Sequence, residues 1–193
     1  SRGLGDVYKW QVLKKEKDSD RTLEGAIFGL FAKEDIKSET TGKVLIEADE
    51  IIELKSTDEE GKITFVADLP IGATYYVKEL YAPDGFVTND EVKEFTFEYA
   101  GEDQPTVTYD FTFDNQPTVV EFTKSSLTTG KELPGCKLKV VDADGNIVDE
   151  WTSGKEAHVI RELTVGKEYT LVETKPADGY VTAESVKLSL IHI

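Results

Sequence analysis

Apolar and polar residues alternate with period two along most of the chain. In an extended strand successive side chains point to opposite faces, so this pattern reads as half-buried β-structure. A first strand is predicted over residues 7–15, with Leu13 and Lys15 on one face. Ala26, Phe28 and Leu30 mark the next inward face, and Ile63, Phe65 and Ala67 a later one. The clearest strand is 107–115. Val107, Tyr109, Phe111 and Phe113 share a face with Asn115 next in line, while Thr108, Asp110, Thr112 and Asp114 share the other. Turns are predicted at 14–20, at Asp58-Glu59-Glu60-Gly61, at Leu69-Pro70-Ile71-Gly72 and at 100–105. Residues 33–49 are polar and irregular, with room for a short helix over 48–54.

Past Gln116-Pro117 the order repeats. Phe122 and Lys124 share a face, a turn follows at 128–130, and Cys136, Leu138 and Val140 point inward. Asp144-Gly145 is a hairpin signal, and Trp151, Val159 and residues 186–193 complete the second half. One stretch recurs most plainly: YYVKELYAPDGF at 75–86 returns as YTLVETKPADGY at 169–180. In each copy a β-favouring run ends in a glutamate on the apolar face, Glu79 after Tyr75 and Val77, and Glu173 after Tyr169 and Leu171. Short strands, regular turns and almost no helical periodicity predict an all-β chain of two sandwiches, 1–115 and 116–193.

A carboxylate on a core face breaks the alternation rule, and two at the same place ask for a chemical reason. Lys15 and Lys124 occupy apolar-face positions in the two first strands. A lone lysine there would snorkel to water. With a same-face glutamate in each half, and Asn115 in the first, these residues form a reactive set. Burial lowers a lysine pKa and raises that of a glutamate. A neutral amine, a protonated carboxyl and a carboxamide held together can form an amide with loss of ammonia, the glutamate polarising the carbonyl and moving protons. Without such chemistry three buried polar groups would be a heavy desolvation cost.

Charge and composition narrow the field. A net charge of −16 argues against nucleic acid and anionic membrane surfaces as partners, and no apolar run is long enough to span a bilayer. The 193 residues contain no methionine and no visible signal peptide, with residues 1–6 read as a leader or linker, so a mature fragment is expected. A single cysteine, Cys136, rules out an internal disulfide; it reads as a small core residue. No metal or other cofactor is expected. Asp142-Ala143-Asp144-Gly145-Asn146 has its glycine too early for a calcium loop, and Ser153 stands where the bidentate glutamate is needed. His158 and His192 lack ligand spacing, and Leu69-Pro70-Ile71-Gly72-Ala73 is not a wall-sorting signal.

Leu23-Glu24-Gly25-Ala26-Ile27-Phe28, Thr57-Asp58-Glu59-Glu60-Gly61-Lys62-Ile63-Thr64-Phe65 and Glu79-Leu80-Tyr81-Ala82-Pro83-Asp84-Gly85-Phe86 resemble the B-type domains of the collagen adhesin, found in Gram-positive surface adhesins and pilins. The resemblance covers nearly the whole chain in two copies. It implies reverse-immunoglobulin-like (prealbumin-like) sandwiches and a spontaneous Lys–Asn or Lys–Asp isopeptide bond promoted by the motif glutamate. Carried over, the first-domain lysine falls on Lys15, ten positions before Gly25 and on the face of Leu13, with Lys14 and Lys17 as near competitors, Glu79 as promoter and Asn115 as acceptor. Lys124 and Glu173 fit the second domain, and Cys136 stands where the family usually has alanine. After Glu173 the only Asn or Asp is Asp178, in the turn, so the second domain is expected to lack its last strand and its acceptor.

The resemblance implies tandem stalk modules of a cell-surface adhesin or pilus, extracellular and anchored to the cell wall through regions outside this chain. The implied partners are other domains of the same surface protein and a strand donor for the second domain. A competing expectation is a ligand-binding module that recognises a host extracellular-matrix protein or glycan through the 33–54 insertion. A turnover enzyme is not expected, since no Ser/His/Asp, metal or phosphate-loop constellation is present and the glutamates would act once.

Overall fold

The structure is a computed structural model that describes residues 7–96, 98 and 106–191. The expectations for residues 1–6, for the turn at 100–105, for the Val107 side chain and for His192 lie outside the described residues. Every regular element is a strand. In chain order they are β1 (Val7–Glu16), β2 (Ile27–Ala32), β3 (Ile36–Lys37), β4 (Val44–Ile46), β5 (Ile51–Ser56), β6 (Lys62–Phe65), β7 (Thr74–Tyr81), β8 (Val92–Thr96), β9 (Thr106–Asn115), β10 (Val119–Phe122), β11 (Lys137–Asp142), β12 (Ile147–Thr152), β13 (His158–Arg161), β14 (Glu168–Lys175) and β15 (Val186–Ser189). Among the described residues no helix is long and apolar enough to cross a membrane. The chain forms two compact units, one running through Pro83 plus Val87–Gln116, the other made of Asp84–Phe86 with the residues from Pro117 on.

Unit one is a sandwich of two sheets, β6-β1-β9 and β5-β2-β7-β8, with a β3-β4 ribbon. Trp10 and Val12 of β1, Phe28 and Leu30 of β2, Ile63 and Phe65 of β6, Tyr75 and Val77 of β7, Phe95 and Phe113 fill the space between them. β1 and β9 pair in parallel, from Val7 opposite Thr106 to Glu16 opposite Asn115. The first and last strands of the unit therefore lie side by side. No helix forms at 48–54. Asp49 takes a left-handed backbone conformation (φ 62°), its N–H donating to the Ala32 carbonyl, and Ile51–Ser56 then pairs antiparallel with β2 as β5. Backbone groups at a sheet edge are better satisfied by a ladder than by an isolated helical turn.

The inward set of β1 differs from the sequence expectation. Trp10, Val12 and Lys14 are buried, whereas Leu13 and Lys15 are half-buried on the outer face. Lys15 points out to Asp20, 3.4 Å away. Leu13 had marked the inner face, but the larger apolar pair Trp10 and Val12 decides it, and a one-residue slip turns every side chain over. The buried lysine is Lys14.

Unit two repeats the plan with the sheets β10-β13 and β12-β11-β14-β15. Phe122, Val140, Ile160, Leu163 and Tyr169 form its main core, with Cys136, Leu138 and Ala177 beside it. Among the described residues β10 pairs only with β13, so it has no counterpart of the β1–β9 ladder. The same hydroxyl staple holds both units. Thr57 Oγ1 donates to the Leu23 carbonyl and accepts from Ala26 N–H, at 2.8 and 2.9 Å. Ser153 Oγ donates to the Leu133 carbonyl and accepts from Cys136 N–H, at 2.7 and 2.9 Å. Cys136 thus stands in the place of Ala26. The Asp-Gly hairpin forms as read: Asp142 Oδ1 accepts the N–H groups of Asp144 and Asn146, and Gly145 adopts φ 87°.

Candidate intramolecular cross-linking site

Lys14, Glu79 and Asn115 meet inside unit one. All three are buried, Lys14 to 0% residual exposure, Glu79 to 4% and Asn115 to 1%. Lys14 reaches the site because β1 places it one step beyond Val12 on the inner face. Its backbone is pinned on both sides: its N–H donates to the Gly61 carbonyl at 2.7 Å, and its carbonyl accepts Leu23 N–H at 3.0 Å. Gly61 has φ 70°, and a Cβ there would sit 2.5 Å from the Lys14 carbonyl oxygen. Only glycine allows this approach. Glu79 follows Tyr75 and Val77 on the inner face of β7, and Asn115 follows Phe113 on that of β9.

Glu79 sits between its two partners. Its Oε1 is 3.1 Å from Lys14 Nζ. Asn115 Nδ2 donates to Oε1 and Oε2, each at 3.0 Å. Lys14 Nζ nevertheless lacks a well-directed hydrogen bond, and Asn115 Oδ1 is buried without a partner. The rings of Phe28 and Phe113 flank the lysine, with centroids 5.5 and 5.8 Å from Nζ, and pack on each other at 4.9 Å. Burial depresses the Lys14 pKa below its usual value, against the opposing pull of Glu79. Desolvating both charges of such a pair can cost more than their attraction returns. For the lysine, burial favours the neutral amine.

A backbone donor invisible to side-chain patterning completes the glutamate's setting. Asn89 N–H donates to Glu79 Oε2 at 2.7 Å. In unit two, Ala183 N–H donates to Glu173 Oε2 in the same way. In each glutamate Oε2 takes the backbone bond and Oε1 faces the lysine. Lys124 Nζ lies 3.5 Å from Glu173 Oε1, but its side chain remains 23% exposed. Burial raises the Glu173 pKa, yet the bonds from Ala183 and Cys136 and the charge of Lys124 outweigh it, and the net shift is downward. A pocket of about 90 Å³ opens beside this pair, lined by Phe122, Lys124, Leu138, Trp151, Leu171 and Glu173. Asp178 lies in the turn after β14.

His158 stacks on Trp151 with ring centroids 4.2 Å apart, its Nε2 2.8 Å from Asp149. Among the described residues no cluster of His, Cys, Asp and Glu could hold a metal ion.

The SpaA prealbumin-like fold domain matches this chain twice, over residues 9–114 and 118–190. The chain belongs to that family. Its prealbumin-like units are similar in fold to several solved structures. The Bacillus anthracis TIE protein is 24% identical with a TM-score of 0.56; the match covers 95% of this chain and 31% of that one. The C-terminal fragment of the pilus adhesin SpaC from Lactobacillus rhamnosus GG is 15% identical at a TM-score of 0.50, covering 96% of this chain and 82% of that one. The shaft pilin SpaA of the same organism is 16% identical, covering 96% and 94%, with a TM-score of 0.42. A comparison with curated proteins found no match.

Proposed function

We propose that the chain is a pair of structural stalk modules from a bacterial surface adhesin or pilus, and that unit one locks itself with an amide between Lys14 and Asn115. The observation that carries this reading is a fully buried lysine and carboxamide bridged by one carboxylate. The neutral Lys14 amine attacks Cγ of Asn115. The new C–N bond replaces the bond to Nδ2, and ammonia leaves. Glu79 takes a proton from Nζ and returns it to the departing Nδ2, both already within about 3 Å of its oxygens. The two roles use two orientations about Cβ–Cγ: with Oδ1 turned to the protonated carboxyl the carbonyl is polarised for attack, and with Nδ2 turned back to it the proton is returned to the leaving nitrogen. The glutamate acts once, on its own chain, so this is not turnover catalysis. The extracellular setting fits the absence of disulfides: an amide does the stapling a small surface domain needs.

Intact mass tests the bond. The chain is expected to be lighter than its sequence by one ammonia, with a Lys14–Asn115 branched peptide after digestion. A full-mass chain, or the branch at Lys15, refutes the assignment.

Unit two holds a lysine–glutamate pair with an open place beside it. We expect the free edge of β10 to take an added parallel strand. The β1–β9 register sets Phe113 opposite Lys14 and Asn115 two residues later. The matching strand would therefore set an apolar residue opposite Lys124 and an Asn or Asp two residues later. Supplying that strand, in a longer chain or as a peptide, should remove a second ammonia, or a water for Asp, and Lys124→Ala should abolish the loss. A cross-link to Lys124 formed within residues 116–193 would show the acceptor to lie elsewhere.

A further inference from the structure

We propose that Asn89 is a positioning residue for the Lys14–Asn115 reaction, through its side chain as well as its backbone. The proposal rests on the reading that these two residues react. Asn89 lies half-buried in the loop before β8 and makes three bonds with three separate atoms. Its N–H holds Glu79 Oε2 at 2.7 Å. Its Nδ2 donates to the carbonyl of Asp114 at 2.8 Å, one residue before the acceptor. Its Oδ1 accepts the N–H of Glu91 at 2.8 Å, which fixes the side chain in an Asx turn. One residue therefore ties the proton-moving carboxylate to the strand that carries the carboxamide.

The acceptor is held from its other side too, because Lys17 N–H donates to the Asn115 carbonyl at 2.9 Å. Asn115 is thus clamped between two bonded carbonyls, its own and that of Asp114. Unit two separates the two roles of Asn89. Ala183 N–H supplies the bond to Glu173, and an alanine has no side chain to hold a neighbouring strand. The backbone role is common to both units; the side-chain clamp belongs to unit one, where an acceptor strand is in place. Asp114 is exposed, so its carbonyl can turn to water when the clamp is lost. The fold should tolerate that loss, whereas a reaction that depends on near-attack geometry should not.

The test is a time course on the full chain. Cell-free synthesis is quenched in denaturant at intervals, and intact mass gives the fraction that has lost ammonia. Asn89→Ala is expected to slow the reaction roughly ten- to hundredfold. Asn89→Asp keeps the turn acceptor and the backbone N–H but removes the Nδ2 donor, and is expected to be as slow. In a Glu79→Ala background, where no bond forms, Asn89→Ala should leave the unfolding midpoint of unit one nearly unchanged. An Asn89→Ala chain that reacts as fast as wild type, or a rate that Asn89→Asp restores, overturns the clamp. A fall in the unfolding midpoint large enough to account for the slowing makes the role merely structural and overturns it as well. A wild-type chain that keeps its full mass refutes the cross-link itself, a result distinct from all of these.

Discussion

Replacing Lys14 by Met together with Glu79 by Leu is expected to destabilise unit one by about 4–5 kcal/mol, if a disulfide closing a loop of roughly 100 residues is a fair measure of the lost constraint. The melting temperature should fall on the order of 20 °C. The size of the loss is what discriminates. If Lys14 and Glu79 formed only a buried ion pair, the desolvation of two charges would disappear with them, and the double variant would lose only the bonds that Asn115 Nδ2 and Asn89 N–H make to Glu79, about 1–3 kcal/mol. A covalent lock adds the whole chain constraint to that loss. Lys15→Met serves as the control. Lys15 reaches only Asp20 at the surface, and removing such a pair changes stability by about 1 kcal/mol or less. Thermal unfolding of the two variants beside wild type settles it; a melting temperature in the double variant that is unchanged, raised, or lowered no further than those bonds account for would sink the cross-link.

Under tension, unit one is expected to yield almost no length. The chain enters along β1 and leaves at the end of β9, and Lys14 and Asn115 lie near the exits of these parallel strands. With the proposed amide in place, force applied to the flanking chain would run from β1 through it to the end of β9, bypassing everything between. Stretching a wild-type molecule should release no unfolding step from residues 15–114. Glu79→Ala, which cannot close the bond, should release about 350 Å of contour length for roughly 100 freed residues. A step of that length in wild type would remove the mechanical basis of a stalk role.

The two residues hardest to hide were legible in the sequence. Glu79 and Asn115 each continue an unbroken alternation of large apolar side chains, Tyr75-x-Val77 and Phe111-x-Phe113, so their inward aim could be read without coordinates. The lysine was not legible in the same way. β1 carries apolar residues on both faces, with Leu13 half-buried outside and Trp10 and Val12 fully inside, and a short window centred on Leu13 selects the wrong parity. Weighing side-chain size, with Trp10 in the register, points to Lys14. The Asn89 contact had no signal at all, since a backbone N–H looks the same at every position and its partner is chosen by a loop. The helix expected over 48–54 fails for a related reason. Residues 51–56 are an edge strand, and edge pairing leaves little trace in composition. The repeat of unit two was plain from the glutamate motif. The shared Thr57 and Ser153 staples were not, because one hydroxyl in a polar turn looks like any other.

The side-by-side placement of β1 and β9 also sets when the lock can close. Contacts between the two ends of a unit carry the largest loop-closure entropy and are the last that a folding chain can afford to make. Lys14 and Asn115 come together through that pairing, so the proposed amide would not form before β1 and β9 meet. Once made, it would turn a reversible equilibrium into a ratchet. The chain between the two residues would close into a ring through their side chains, local openings would refold from a pre-joined state, and only chains that had reached the native topology would carry the mark.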